Sequence, residues 1–216
     1  MSFINSCFTP SELIFLNGDK FAPESSKGDH FQLLTSDIVV SGPYLVNMMV
    51  AAAVLANEQM GALQLELNKE KGLLGLGSAR NLLVTAVGQP PNWPGYTLEA
   101  AIPYLASQIG PYRGRNTLYA ILLNVVTEDI PHYWKKIIEM VEWGLASSNW
   151  LMPVEGNAAS AFSIPFICPA KVKELATQQP LDPLRKLLSE CKKNRPEVWT
   201  VMMSEIEHAG RDRSTG

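Results

Sequence analysis

The chain lacks a surplus of positive charge. Its 216 residues hold 18 lysines and arginines against 21 acids, a net charge of −3. Bulk nucleic-acid binding draws its affinity from neutralising phosphates, so this balance argues against it and leaves room only for a local basic patch. Cysteine is scarce as well. Cys7, Cys168 and Cys191 are far apart, form no CxxC or Cys/His cluster, and read as reduced thiols rather than as zinc ligands. His30, His132 and His208 are isolated and no GxSxG occurs, so no pattern points to a nucleophilic triad. The run GLLGLGSAR lacks the lysine–serine/threonine end of a phosphate loop and the helix that would follow it. The reading is of a protein that is not an enzyme and needs no metal or cofactor. Long apolar runs are missing too. The longest, Leu45 to Ala56, is interrupted by Asn47 and falls short of the roughly 18 residues that span a bilayer. The start, MSFINSCFTPSEL, lacks the pattern of a signal peptide, and Ser2 stands where myristoylation needs glycine.

What the chain does have is a repeated unit of apolar helix, glycine, then short apolar strand. AAAVLANEQMGALQLEL covers residues 51 to 67, and WKKIIEMVEWGLASSNWLMPVE covers 134 to 155. Gly61 and Gly144 stand where a helix stop wants a left-handed residue, which glycine adopts without steric cost. Leu63, Leu65 and Leu67 alternate with Gln64 and Glu66, the pattern of a half-buried strand, and Asn68 to Gly72 is expected to turn.

Around these units the punctuation predicts a mainly helical fold. Thr9 and Glu12 fit a capping box with Pro10 in the first turn, opening a short helix that stops near Gly18. Asp19 to Asp29 reads as a surface loop or a hairpin turn, and Phe31 to Val40 as a strand or the lead-in to one. Gly42-Pro43 precedes a helix from about Tyr44 to Met60. Leu82 to Val87 reads as a strand, and GQPPNWPGY as a proline-rich loop. Trp93 in that loop is either an interface anchor or a clamp on the surface. Thr97 caps a helix with Leu98, Ala101, Ile102 and Leu105 on one face and Pro103 inside. Further helices are expected over Thr117 to Thr127, Pro131 to Trp143, Pro169 to Leu175, Pro183 to Lys193 and Pro196 to Glu207. A second hairpin spans Leu145 to Val154 and Phe162 to Ile167, turning at GNAAS. Residues 1–8 are expected as a tail, 9–209 as one domain and 210–216 as a flexible end. The fold class is mainly α: a compact single helical domain with two or more β-hairpins in winged-helix-like units.

The order of these parts resembles the Golgi phosphoprotein 3 family. TPSELIFL is similar to its opening helix. AAVLANEQMGALQLEL is similar to its helix–glycine–strand segment, with Ala62 where the family usually has arginine. TLEAAIPYLAS, KKIIEMVEWGL and AFSIPFICPAK resemble later segments in the same order, so the likeness runs from about Thr9 to Ala209. The resemblance implies a non-enzymatic peripheral adaptor that binds the headgroup of phosphatidylinositol-4-phosphate in a shallow basic pocket facing the membrane. It also implies protein clients such as the cytoplasmic tails of glycosyltransferases, and oligomers formed through the hairpin. In the family, a tryptophan and several arginines hold the phosphate. Here the segment before the first long helix, SGPYLVNMM, has no arginine, and the later helix offers Tyr133, Lys135 and Lys136.

Two sets of candidate residues follow. Arg113, Arg115, Lys135 and Lys136 form a loop-and-helix basic group able to meet an anionic headgroup, or an ordinary solvated surface. Phe162, Ile164, Phe166 and Ile167 form a hairpin arm that either enters a membrane or partner, or packs on the core. Glu12, Glu139 and Glu142 are expected on solvated helix faces. The competing readings are a protein–protein interaction module of the same fold, without lipid binding, and a winged-helix nucleic-acid binder, which a steep salt dependence of DNA binding would reveal. The expected setting is cytoplasmic, peripheral on a membrane surface, and Golgi in a eukaryote.

Overall fold

The computed structural model of the chain describes residues 6–25, 29–71, 78–89, 91–110, 115–126, 133–154 and 165–211. Among these are eight α-helices and three two-stranded antiparallel sheets. The helices are α1 (Pro10–Leu16), α2 (Gly42–Gln59), α3 (Leu98–Ile109), α4 (Leu118–Val125), α5 (Tyr133–Ser147), α6 (Ala170–Gln178), α7 (Asp182–Asn194) and α8 (Pro196–Arg211). The strands are β1 (His30–Gln32), β2 (Val39–Ser41), β3 (Leu63–Lys71), β4 (Ser78–Ala86), β5 (Met152–Pro153) and β6 (Phe166–Ile167). The chain is thus a mainly helical domain with β-hairpins.

Helix α2 is the hub. From Leu45 to Ala56 it is apolar on every side but for Asn47, and Val50 to Ala56 are buried without a break. A helix apolar all round belongs inside a protein, and here α1, α3, α5, α7, α8 and β3 all pack against α2. No helix among the described residues is long and apolar enough to cross a membrane.

The helix starts form as their sequences dictate. Thr9 and Glu12 close a full capping box, and Ser41, Thr97 and Thr117 each accept a backbone N–H of the first turn of the helix they cap. The two glycine stops fare differently. Gly61 has φ +76°, and Gly61 N–H and Ala62 N–H donate to the Glu58 and Asn57 carbonyls, the paired closure of a left-handed helix end. Gly144, expected as the second stop, instead lies within α5. That helix runs on to Ser147 and is closed by Asn149, whose φ is +61°, with Asn149 and Trp150 N–H donating to the Ala146 and Leu145 carbonyls. Asparagine tolerates the left-handed region better than other side chains, so it serves as the stop. Gly144 is small for another reason: a Cβ there would stand 2.8 Å from the Tyr96 carbonyl oxygen.

The hairpins also move some boundaries. Phe31 to Val40, expected as one strand, is two short strands with Phe31 opposite Val40. In the main hairpin Leu63 pairs with Ala86 and Lys71 with Ser78, so Asn68 to Lys71 continue the strand instead of turning. The expected turn at Gly72 and the GLLGLG run lie outside the described residues, as does GNAAS. Among the described residues, Met152–Ile167 and Pro153–Phe166 pair in the third hairpin. At the N-terminal end Phe8 is buried with its ring 5.1 Å from that of Trp150, and α8 continues through Arg211.

Candidate functional site

Two surface features and one buried network carry the chemistry. The buried network lies where α1, α2 and α3 meet. Glu99 accepts from the Ser11 N–H at 2.7 Å and from its hydroxyl at 2.8 Å, so a carboxylate of α3 caps the start of α1. Asn57 of α2 donates to the Ala53 and Glu99 carbonyls, and the Trp93 indole N–H donates to Asn57 Oδ1 at 3.0 Å. Trp93 is therefore a clamp holding the proline-rich loop onto the helices. Glu12 and Glu99 are both buried, which corrects the expectation that Glu12 is solvated. Burial pushes the Glu12 carboxyl up to about 7, against the lowering effect of the Thr9 N–H, and pushes Glu99 up as well. Glu12 Oε1 has no hydrogen-bond partner among the described residues. Glu205 is a second carboxylate clip: it accepts from Leu82 N–H at 2.7 Å and Tyr119 N–H at 2.8 Å, joining α8 to β4 and to the start of α4. These carboxylates hold helix starts and strand ends together. Glu142 on α5 is half-buried, not solvated, and burial beside Glu139 pushes it up to about 8.

The first surface feature is a cavity of about 430 Å³ between the starts of α2 and α5 and the end of α8. Ser41, Tyr44 and Asn47 line it from α2 and its cap. Tyr133 and Trp134 line it from α5, Glu207 from α8, and Asp29 from the loop before β1. Trp134 is seated by Gly42: a Cβ there would lie 2.5 Å from the indole ring, so only glycine lets the ring rest on the helix start. Lys135 Nζ lies 5.5 Å from the Trp134 ring centroid, which sets a cation at the rim.

The second feature is an apolar groove of about 780 Å³ lined by Tyr96, Met140, Trp143, Pro153 and Phe166 among others. Trp143 is 49 % exposed and stacks edge-on against Phe166 at 5.3 Å. Tyr96 stands at its edge in a left-handed conformation, φ +63°.

The expected site residues separate accordingly. Lys135 is exposed beside the cavity, whereas Lys136 is half-buried and bonded to Glu139 at 2.7 Å. Arg115 is exposed ahead of α4 and is not among the residues lining the cavity. Arg113 lies outside the described residues. So do Phe162 and Ile164. Phe166 is buried and Ile167 is 52 % exposed, so the end of that arm sends one side chain inward and one outward. Asn47 lies in the segment singled out by the resemblance, but Asp29 and Glu207 come from two distant segments that no local signal marks. Among the described residues no group of acids, histidines and cysteines is arranged to hold a metal.

No protein-family model matches the chain, and neither a curated protein nor a solved structure does.

Proposed function

We propose that this chain is a non-enzymatic peripheral membrane adaptor of the Golgi phosphoprotein 3 type, binding anionic lipid and protein clients at a cytoplasmic membrane surface. One observation carries the reading. The two segments that stand where the resemblance expects phosphate-holding arginines, Ser41 to Met49 and Tyr133 to Lys136, are some 90 residues apart in the sequence, and side chains of both line one cavity, with Lys135 Nζ 5.5 Å from the Trp134 ring of its wall. A basic side chain near an anionic leaflet contributes about 1 kcal/mol, so Lys135 gives a weak, salt-sensitive attraction that a filled cavity would make selective.

The apolar groove favours a second reading, a protein–protein interaction module without lipid. Exposed aromatic and apolar side chains around a groove are the usual furniture of partner binding.

Vesicle co-sedimentation separates the two. Binding to vesicles containing phosphatidylinositol-4-phosphate or phosphatidylserine but not to pure phosphatidylcholine, weakened in the Lys135→Ala, Lys136→Ala double variant, is the result expected of the adaptor. No binding to any anionic vesicle would overturn it in favour of the interaction module.

A further inference from the structure

Two oxygen acceptors meet beneath the apolar groove with no donor to share. A Cβ on Gly144 would stand 2.8 Å from the Tyr96 carbonyl oxygen and 3.6 Å from Glu12 Oε1, so both atoms crowd the same bare spot on α5. Glu12 Oε1 is buried without a hydrogen-bond partner, and among the described residues no backbone N–H donates to the Tyr96 carbonyl. A buried acceptor left unpaired costs its desolvation in full. Protonation would turn Glu12 from an acceptor into a donor at this spot.

The partners of the two buried carboxyls sort the proton the same way. Glu99 receives the Ser11 N–H on one oxygen and the Ser11 hydroxyl on the other, which suits an ionised group. Glu12 has the Thr9 N–H on Oε2 and nothing on Oε1, which suits a neutral one. The charges around it agree. Helix α1 packs against α2, α3, α5, α6 and the turn at 18–20. Glu99, the only charge on α3, disfavours an ionised Glu12. Glu58, the only charge on α2, is bound to Arg195. On α5, Lys135 is exposed, Lys136 is bonded to Glu139, and Glu142 lies two residues from Gly144. The charges of α6 and the turn are Lys171, Lys173, Glu174, Asp19 and Lys20, none of them buried.

Tyr96 is the residue this spot holds. Its φ of +63° is uncommon for a side chain other than glycine and lasts only where the surroundings fix it. The loop on either side is already pinned, Trp93 to Asn57 and the Thr97 hydroxyl to the Pro94 carbonyl. The Tyr96 side chain, 73 % exposed, lines the groove together with Met140 and Trp143 of α5. Its carbonyl, resting on Gly144 of the same helix, sets that wall against α5.

We propose that Glu12 is a proton-operated latch for the apolar groove: protonated, its Oε1 hydroxyl donates to the Tyr96 carbonyl over Gly144 and seats Tyr96 at the groove's edge. When the proton passes to water, carboxylate and carbonyl repel each other, Tyr96 leaves its left-handed turn, and the groove loses one wall. Burial pushes the Glu12 carboxyl up to about 7, which puts the change in the neutral range. The latch concerns the groove alone and stands apart from the lipid reading.

Nuclear magnetic resonance of the unaltered chain between pH 5 and 9 tests it. The Glu12 carboxyl carbon, the Tyr96 and Gly144 amides and the Trp143 indole N–H are followed together. All four are expected to move with one midpoint near 7, and the Tyr96 amide is expected to lose order above it. Glu12→Gln places an N–H donor where the hydroxyl stood and should hold Tyr96, Gly144 and Trp143 at their low-pH positions throughout. Glu142→Gln is the control for the other acid of α5 and should leave the transition in place. A Glu12 carboxyl that titrates while Tyr96 stays fixed and ordered would overturn the proposal. So would a Glu12 that shows no transition between pH 5 and 9. A Tyr96 transition that survives Glu12→Gln, or that disappears in Glu142→Gln, would overturn it by assigning the change to another group.

Discussion

Stability should fall as pH rises through neutrality, and Glu12 is the main reason. Its carboxyl is buried where α1 meets α3, close to the ionisable Glu99, and is pushed from the ordinary 4.5 to about 7. In the unfolded chain it titrates in the ordinary range. Between those two values the folded state holds a proton that the unfolded state has released, so folding is favoured below 4.5 and loses that advantage as pH climbs through 7. At 1.36 kcal/mol per unit, a shift of this size amounts to about 3 kcal/mol between pH 4.5 and pH 8. The shifted carboxyls of Glu99, Glu142 and Glu205 all move in the same direction, so they add to the trend. Urea unfolding at pH 5, 6, 7 and 8 measures it. The control is Glu12→Gln, which keeps an acceptor for the Thr9 N–H, now bonded to Glu12 Oε2 at 2.8 Å, and cannot ionise. This variant should match the unaltered chain at pH 5 and exceed it at pH 8, flattening the profile. A stability that is level or rising between pH 5 and 8, or a variant less stable at pH 8, would refute the placement of a protonated Glu12 in the core.

Three other perturbations follow from single contacts. Gly42→Ala should destabilise by about 1–3 kcal/mol in thermal or urea unfolding, because the new methyl occupies space held by the buried Trp134 ring. Arg195→Ala breaks a paired contact with Glu58, Nη1–Oε1 at 2.6 Å and Nη2–Oε2 at 2.5 Å, that ties the end of α2 to the α7–α8 corner; its partial exposure limits the expected loss to about 1 kcal/mol. Of the two neighbouring lysines, Lys135→Ala should weaken binding to anionic vesicles more than Lys136→Ala, since Lys136 is already neutralised by Glu139; equal losses would contradict the assignment.

The parts of this fold that were legible in the sequence are those decided within one turn of chain. Thr9, Thr97 and Thr117 cap helices because a hydroxyl two or three residues ahead of free N–H groups has one obvious use. Leu63, Leu65 and Leu67 lie on the inward face of β3 because strand side chains alternate. Gly61 and Gly144 look alike in sequence, and only packing tells them apart. The first has open space and a left-handed φ, whereas the second abuts the Tyr96 carbonyl, leaving Asn149 to end the helix. Glu12 and Glu99 illustrate the same limit. A glutamate near a helix start is ordinarily solvated, and nothing local shows that α1 and α3 cross at their N-terminal ends. Of the cavity, the sequence offered Tyr133 and Lys135 through the resemblance, together with the segment around Pro43. Asp29 and Glu207 were out of reach because their approach to α2 depends on β1 pairing with β2 and on α8 running past Ile206.

A membrane adaptor must touch the membrane with a defined face. Hydrogen exchange followed by mass spectrometry, with and without phosphatidylinositol-4-phosphate vesicles, reads that contact directly. Slowed exchange in peptides spanning Tyr44 to Met48 and Tyr133 to Ile137, with the Trp143 to Phe166 face unchanged, is the expected result. Protection confined to the apolar groove around Trp143, or no protection anywhere on vesicles, would contradict the cavity as the lipid site.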